Sequence, residues 1–266
     1  KVGFIERGHS VTAIAAKLEF PPLRDQVGAE EWETRVDLAA SYRLVAHYGW
    51  THLISNHISA RVPGTDDEFL INPYGLMYEE ITASSLVKVD LKGAILNDTK
   101  YTINQAGYVI HSAVHAARHD VECVLHTHTE AGMGVSAQAA GLLPISMSSL
   151  RFYELFGYHD FEGITLDVEE RDRIVADLGT HMAMILRNHG LLTCGRTIGE
   201  AFVHMYHLEK ACAAQLAALA GPGDIVIPPP EVCEKSAQQS GRGNHGNSSW
   251  PALVRQMDRL DPSFRQ

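Results

Sequence analysis

The stretch VECVLHTHTE, residues 121–130, places two histidines one residue apart at the end of an apolar run. Side chains along an extended strand alternate between faces with period two, so His126 and His128 project to the same side. Two neighbouring imidazoles are either a polar pair on a solvated edge or two ligands of one metal ion that draws a third from elsewhere. The stretch MAMILRNHGLLTCG, residues 182–195, supplies that third. It reads as one buried strand with a polar triplet, Arg187-Asn188-His189, inside it, and polar groups in such a run must be paired or functional. Gly190, next to His189, admits close approach of backbone or ligand. His126, His128 and His189 are therefore the predicted metal ligands. Three neutral imidazoles leave one position of a tetrahedral ion open to water or substrate, as a catalytic site requires. Zinc suits this set; manganese, nickel and cobalt are compatible with it.

Two other histidine pairs compete. His111 and His115 stand i,i+4 on one predicted helix, and His204 and His207 i,i+3 on another. Amphipathic helices carry such pairs by chance, and no glutamate completes a metalloprotease motif. The segment GVSAQ, residues 134–138, lacks the second glycine of a nucleophile elbow. GRGNHG, residues 241–246, reads as a flexible loop and not as a phosphate cradle.

Working outward from the histidines, residues 29–49 read as a helix with acidic residues in its first turn and Gly49 at its end. Residues 51–64 and 67–75 alternate and end in turn residues, as strands do, and residues 86–96 read as a hairpin turning at Lys92-Gly93. Apolar residues recur at helical spacing over 103–119, and 130–143 reads as a short helix rich in small residues. The clearest helix spans 197–221, opened by Thr197 with Glu200 three residues on and closed by Gly221. The first 28 residues read as a loosely structured arm, residues 29–221 as one α/β domain, and 222–266 as a tail. That tail is apolar-poor over 228–249 and ends in a possible docking helix over 250–264.

Composition sets the outer limits. The chain has 266 residues, 45% of them hydrophobic, which is enough to bury one large core. A net charge of −10 argues against nucleic acid or an anionic membrane surface as a partner. No apolar run approaches the roughly 20 residues that span a bilayer. The opening residues carry Glu6, Arg7 and His9 where a signal peptide needs an unbroken apolar stretch, so none is expected there. Four scattered cysteines, without a CxxC, read as buried free thiols in a reducing cytoplasm.

Taken together, SNHISAR (55–61), INPYGLMYEEIT (71–82), QAGYVIHSAVHAARHDVECVLHTHT (105–129) and LRNHGLLTCGRTIGEAF (186–202) resemble the class II aldolase/adducin family in the family's own order. The resemblance runs from about Arg35 to Ala220. It implies a three-layer α/β/α domain around a mainly antiparallel sheet, a homotetramer, and a divalent ion held by His126, His128 and His189. The departures are equally informative. Sugar-phosphate aldolases of the family resemble one another in a Ser-Ser-Glu segment whose serines hold phosphate and whose glutamate transfers a proton. Aligned through His111 and His126, this chain has Gln105-Ala106-Gly107 there. The Gly-Asn of the first phosphate loop stands here as Asn56-His57, and the Thr-Gly of the second as Tyr74-Gly75. This pattern is closer to the adducin head and its bacterial relatives, as is the stretch 142–164. Adducin heads are regarded as non-catalytic and lack the intact triad, which this chain keeps.

Two functions follow as expectations. One is a metal-dependent carbon–carbon lyase, an aldolase or decarboxylase, acting on a small unphosphorylated hydroxy, keto or aromatic acid. The other is an adducin-like scaffold with a structural metal. For the missing acid or base the candidates are Glu130, on the face of the histidines if their strand continues, His111, Tyr153, Tyr158, and Arg187, two before His189 and able to hold a carboxylate. His57, Tyr74, Gly75 and Gln105 are the candidate substrate-binding positions.

Overall fold

Alternation along residues 123–127 divides the molecule in two. Cys123 and Leu125 point into one apolar cluster with Leu44, Phe202 and Met205, whereas Val124 packs with Ile110, Val114, Ile174 and Leu178 on the opposite side. Each such large side chain taken fully out of water contributes roughly 1.5–3 kcal/mol. The computed structural model describes residues 18, 20–163, 169–241 and 245–266.

In chain order the elements begin with α1 (Ala29–His47), β1 (His57–Arg61), β2 (Glu68–Ile71), β3 (Val87–Asp90) and α2 (Gln105–Ala117). There follow β4 (Cys123–Thr127), α3 (Glu130–Ser136), α4 (Met147–Leu150), β5 (Gly157–His159) and α5 (Glu170–Leu178). The chain continues with β6 (Ala183–Leu186), β7 (Gly190–Gly195), α6 (Ile198–Leu219), α7 (Pro230–Gly241) and α8 (His245–Leu260). The seven strands form one sheet in the order β3-β2-β1-β4-β7-β6-β5. Every pair is antiparallel except β5 with β6. Helices α1, α6 and α8 cover one face, and α2 and α5 the other. This is the expected three-layer α/β/α arrangement.

The largest departure from the sequence reading lies at residues 182–195. They form two strands, not one: β6 and β7 pair back to back with Leu186 opposite Gly190, and Arg187-Asn188-His189 make the turn. Asn188 takes a left-handed backbone conformation, φ 55°, which asparagine tolerates better than most residues. Gly190 is held to glycine by a neighbour, because a Cβ there would lie 2.2 Å from the carbonyl oxygen of Thr127. That close approach lets β7 zip onto β4 and brings the turn over the histidine pair.

Other elements differ at their ends. Of residues 51–64 only His57–Arg61 are strand, and of 130–143 only Glu130–Ser136 are helix. The turn at Gly93 has φ 89°, and the Asp90 carboxylate accepts from the backbone N–H of Lys92 and Ala94. The apolar-poor tail contains α7, and α8 docks by Trp250, whose side chain rests on Gly199. Residues 1–17 and 19 of the expected arm lie outside the described residues.

Candidate metal centre

Strand β4 ends at Thr127, and His126 within it and His128 just past its end are the first two candidate ligands. His126 and His128 face each other with their Nε2 atoms 2.6 Å apart, and the β6–β7 turn brings in His189. One donor atom from each of the three lies within 4.8 Å of the others. Tetrahedral zinc ligation at about 2.0–2.1 Å sets ligand nitrogens roughly 3.3 Å apart, so small side-chain adjustments accommodate an ion. The second layer fixes which nitrogen does the binding. His126 Nδ1–H donates to the carbonyl of Leu191 at 2.8 Å, leaving Nε2 bare toward the centre. His128 Nδ1 meets Nδ1 of His52 at 3.2 Å. Burial, then the neighbouring imidazoles, push His126 well below the usual histidine range and His128 down to about 3; His189 is lowered by burial and His159. The triad is neutral at physiological pH, the form that binds a cation. The donor set fits a divalent ion.

The opposite face of the same strand is secured by a residue that the sequence reading missed. Thr127 and Thr129 alternate with the histidines, and their hydroxyls donate to Glu209 at 2.8 and 2.7 Å. Glu209 is buried in α6, and burial raises its affinity for a proton, a shift that the bonds from Thr129 and Thr127 reduce but do not cancel. Thr129 also caps α3 by accepting from Gly132 N–H. The signal was a glutamate on the apolar face of an amphipathic helix, where burial without a partner is costly.

A second histidine array lies against the triad. His57 on β1 pairs in register with His126 and stacks on it, ring centroids 5.1 Å apart. His57 Nδ1 is 2.7 Å from His111 Nε2, His111 Nδ1 is 2.6 Å from Ser59 Oγ, and Ser59 Oγ is 2.8 Å from His115 Nε2. His111 and His115 are fully buried, so they are bridged by a hydroxyl and do not form the competing metal pair. His111 reaches the metal centre only through His57. His204 likewise turns away and contacts the carbonyl of Cys194.

The remaining candidates scatter. Glu130 does not share the histidine face, because the strand has ended and Glu130 opens α3, exposed, at a helix start. Arg187 is a turn residue and not a strand neighbour of His189. Its guanidinium lies 3.9 Å over the Tyr158 ring and donates to the carbonyl of Gln138. It still lines a small cavity with His189, His159 and Phe161. The Tyr158 hydroxyl accepts from Leu142 N–H, and Tyr153 stands near Cys233 and Glu234 of α7. Tyr74 and Gly75 are exposed, Gly75 with φ 96°. Gln105 is exposed at the first position of α2, whose cap is the Asn104 side chain.

A sequence profile of the Class II Aldolase and Adducin N-terminal domain matches residues 36–216. The chain belongs to this family. Among solved structures it is similar to an aldolase II superfamily protein from Pseudomonas syringae, 53% identical with a TM-score of 0.88, covering 92% of this chain and 100% of that one. It is also similar to an L-fuculose 1-phosphate aldolase from Glaciozyma antarctica PI12, 28% identical with a TM-score of 0.81, covering 92% and 97%. Rat (Rattus norvegicus) alpha-adducin is 43% identical over 243 residues, 85% of this chain but 33% of the adducin. Among the described residues of this family member, no helix is long and apolar enough to cross a membrane.

Proposed function

We propose that the protein is a divalent-metal-dependent carbon–carbon lyase, an aldolase or a decarboxylase, acting on a small unphosphorylated hydroxy, keto or aromatic acid. The observation that carries this reading is the converging, neutral triad of His126, His128 and His189 with its own orienting bonds. When bound, a zinc or related ion supplies a Lewis acid that polarises a carbonyl or hydroxyl and steadies the negative charge left when a carbon–carbon bond breaks.

The chain's own residues do the rest. The triad offers three nitrogens and leaves the remaining directions to a substrate that brings two oxygens, so the acid is gripped by chelation and its reacting carbon is placed at the same time. His57 and Tyr74 stand where the family's sugar-phosphate aldolases have small phosphate-loop residues, which removes the small side chains that make room for a phosphate. Phe161, exposed, lies 6.3 Å from the His189 ring and gives the approach an apolar side. A flat or short acid suits that setting better than an extended sugar phosphate. Arg187, committed to Tyr158 and Gln138 through part of its fork, keeps further N–H groups for a carboxylate. The same reading has the chain working as a cytoplasmic homotetramer, in keeping with four buried free cysteines; a stable monomer by light scattering at micromolar concentration contradicts the assembly.

The identity to alpha-adducin favours a second reading, a non-catalytic scaffold with a closed structural metal. A thermal-shift screen of small acids, run on zinc-loaded and chelator-stripped protein, separates the two. The lyase reading expects at least one carboxylate to stabilise the loaded form selectively. If none does, the scaffold is preferred.

A further inference from the structure

Two of the three candidate ligands have a polar partner behind them. His126 Nδ1–H donates to the Leu191 carbonyl, and His128 Nδ1 meets His52. Among the described residues the ring of His189 makes no hydrogen bond. A ligating imidazole turns one nitrogen to the ion and gives its other N–H to a carboxylate, a carbonyl or a water, which fixes the ring and strengthens it as a ligand. What lies beyond His189 therefore decides how firmly the third ligand is held.

The sequence puts a carboxylate there by way of α5 and β5. Glu170, Ile174 and Asp177 recur at spacings of four and three, so they share one face of α5. That face approaches β5 closely, because a Cβ on Gly157 would lie 2.2 Å from the carbonyl oxygen of Asp177. Strand β5 runs parallel to β6 with His159 opposite Leu186, and the His159 carbonyl accepts from Arg187 N–H at 2.8 Å. His159 thus arrives beside the turn that carries His189. Its Nδ1 lies 2.7 Å from the Asp177 carboxylate and its Nε2 3.4 Å from that of Glu170. His159 and Glu170 are both buried. A carboxylate at a helix start is favoured by the helix dipole, but hiding it from water is costly without polar company.

That company includes a small chamber. Glu170, His159, Arg187 and His189 line it, with Ile174 and Phe161. It measures about 10 Å³, the least that one water occupies, and its polar side chains supply the two to four partners that a buried water needs. It is too small for a substrate. His126 and His128 have their ring centroids 4.8 Å from that of His189 and are not part of its wall, so the chamber adjoins the third ligand alone.

We propose that Glu170 is the positioning residue of the third ligand: one water in this chamber accepts from the outer N–H of His189 and donates to the Glu170 carboxylate, which His159 and Asp177 hold in place. This rests on the metal-binding part of the proposed function. The link fixes the His189 ring and sets negative charge behind it, so its loss shows first in zinc affinity.

The test is competition for zinc between the full-length chain and a chromogenic chelator. Glu170→Leu should bind zinc roughly 10–100-fold more weakly than wild type, and Glu170→Gln, which keeps an oxygen acceptor for the water, should recover most of that loss. Val114→Ala, a cavity in the same layer away from the chamber, should lower stability and leave zinc affinity unchanged. Imidazole 15N NMR of the zinc-loaded protein should show the outer N–H of His189 moved by Glu170→Leu and that of His126 unmoved. Zinc affinity of Glu170→Leu equal to wild type, or weakened no more than that of Val114→Ala, overturns the inference alone. A crystal structure of the zinc-loaded protein with a dry chamber overturns it as well. Failure of wild-type protein to bind zinc refutes the metal centre itself, and the role of Glu170 falls with it.

Discussion

Alanine at position 107 tests the packing beneath the His57 arrangement. In an ordinary helix Gly→Ala stabilises by roughly 0.5–1 kcal/mol through backbone entropy. Here the new Cβ would overlap the His57 ring at 2.3 Å, and the ring is pinned between His126 and His111. Overpacking of this kind costs about 1–3 kcal/mol. If the ring swings away, His111 Nε2 loses its partner in a fully buried place, for about 1–3 kcal/mol more. The clash wins over the entropy, and the net expectation is a loss of roughly 1–5 kcal/mol, read from urea midpoints with unchanged slope. The same substitution made in a His57→Ala background has nothing to collide with. There it should be neutral or stabilising, so a double-mutant cycle should return a coupling above about 1 kcal/mol between the two positions. Additivity within about 0.5 kcal/mol would refute the reasoning, because it would mean that position 107 and the ring do not share space.

Other outcomes follow from the same contacts. His126→Ala should lose the bound divalent ion by elemental analysis, and retention of a full equivalent would move the site elsewhere. Glu209→Ala unpairs two buried threonine hydroxyls; it should destabilise by about 2–4 kcal/mol and weaken zinc binding roughly 10–100-fold by competition with a chromogenic chelator. His115, held down to about 3 by burial and the Arg61 guanidinium, stays neutral in the fold while the unfolded chain takes up a proton near pH 6.5. The unfolded state then binds more protons, so stability of the metal-free protein should be full above about pH 7 and fall progressively toward pH 3, with His111 acting in the same direction. Urea midpoints at pH 7.5, 6 and 5 check the sign. Fuculose, rhamnulose and ribulose phosphates should be cleaved at least ~10²–10⁴-fold more slowly than by an aldolase that keeps the glutamate; brisk turnover would show the alignment at Gln105–Gly107 to be wrong.

The convergence of the three histidines was legible because its signals are local patterns. Period two puts His126 and His128 on one side, and a polar triplet in an apolar run announces itself. What that triplet does to the backbone was not legible: Arg187, Asn188 and His189 fit a strand by hydrophobicity, and only the left-handed Asn188 and the contact of Gly190 with Thr127 make them a turn. The error carried Arg187 to the wrong side, just as extending β4 past Thr127 misplaced Glu130. Glu209 and the His57–His111–Ser59–His115 chain were hidden for another reason. Their partners lie 52 to 82 positions away in sequence, and no local pattern marks a glycine whose only purpose is to leave room for a ring from another strand.

Strand β4 sits in the middle of the sheet with antiparallel neighbours on both sides, whereas His128 lies one residue past its end and His189 lies in a turn. The three candidate ligands therefore belong to two different regimes of motion. The amide of His126 is locked in a ladder that opens only with the whole domain, while those around 128–130 and 187–189 can exchange with solvent through local fluctuations. An ion bridging the three would tie the two histidines outside the ladder to the one inside it. Loading with metal should thus slow hydrogen exchange in those two short segments while leaving Cys123–Thr127 at the rate set by global unfolding, so that occupancy can be followed residue by residue without any substrate.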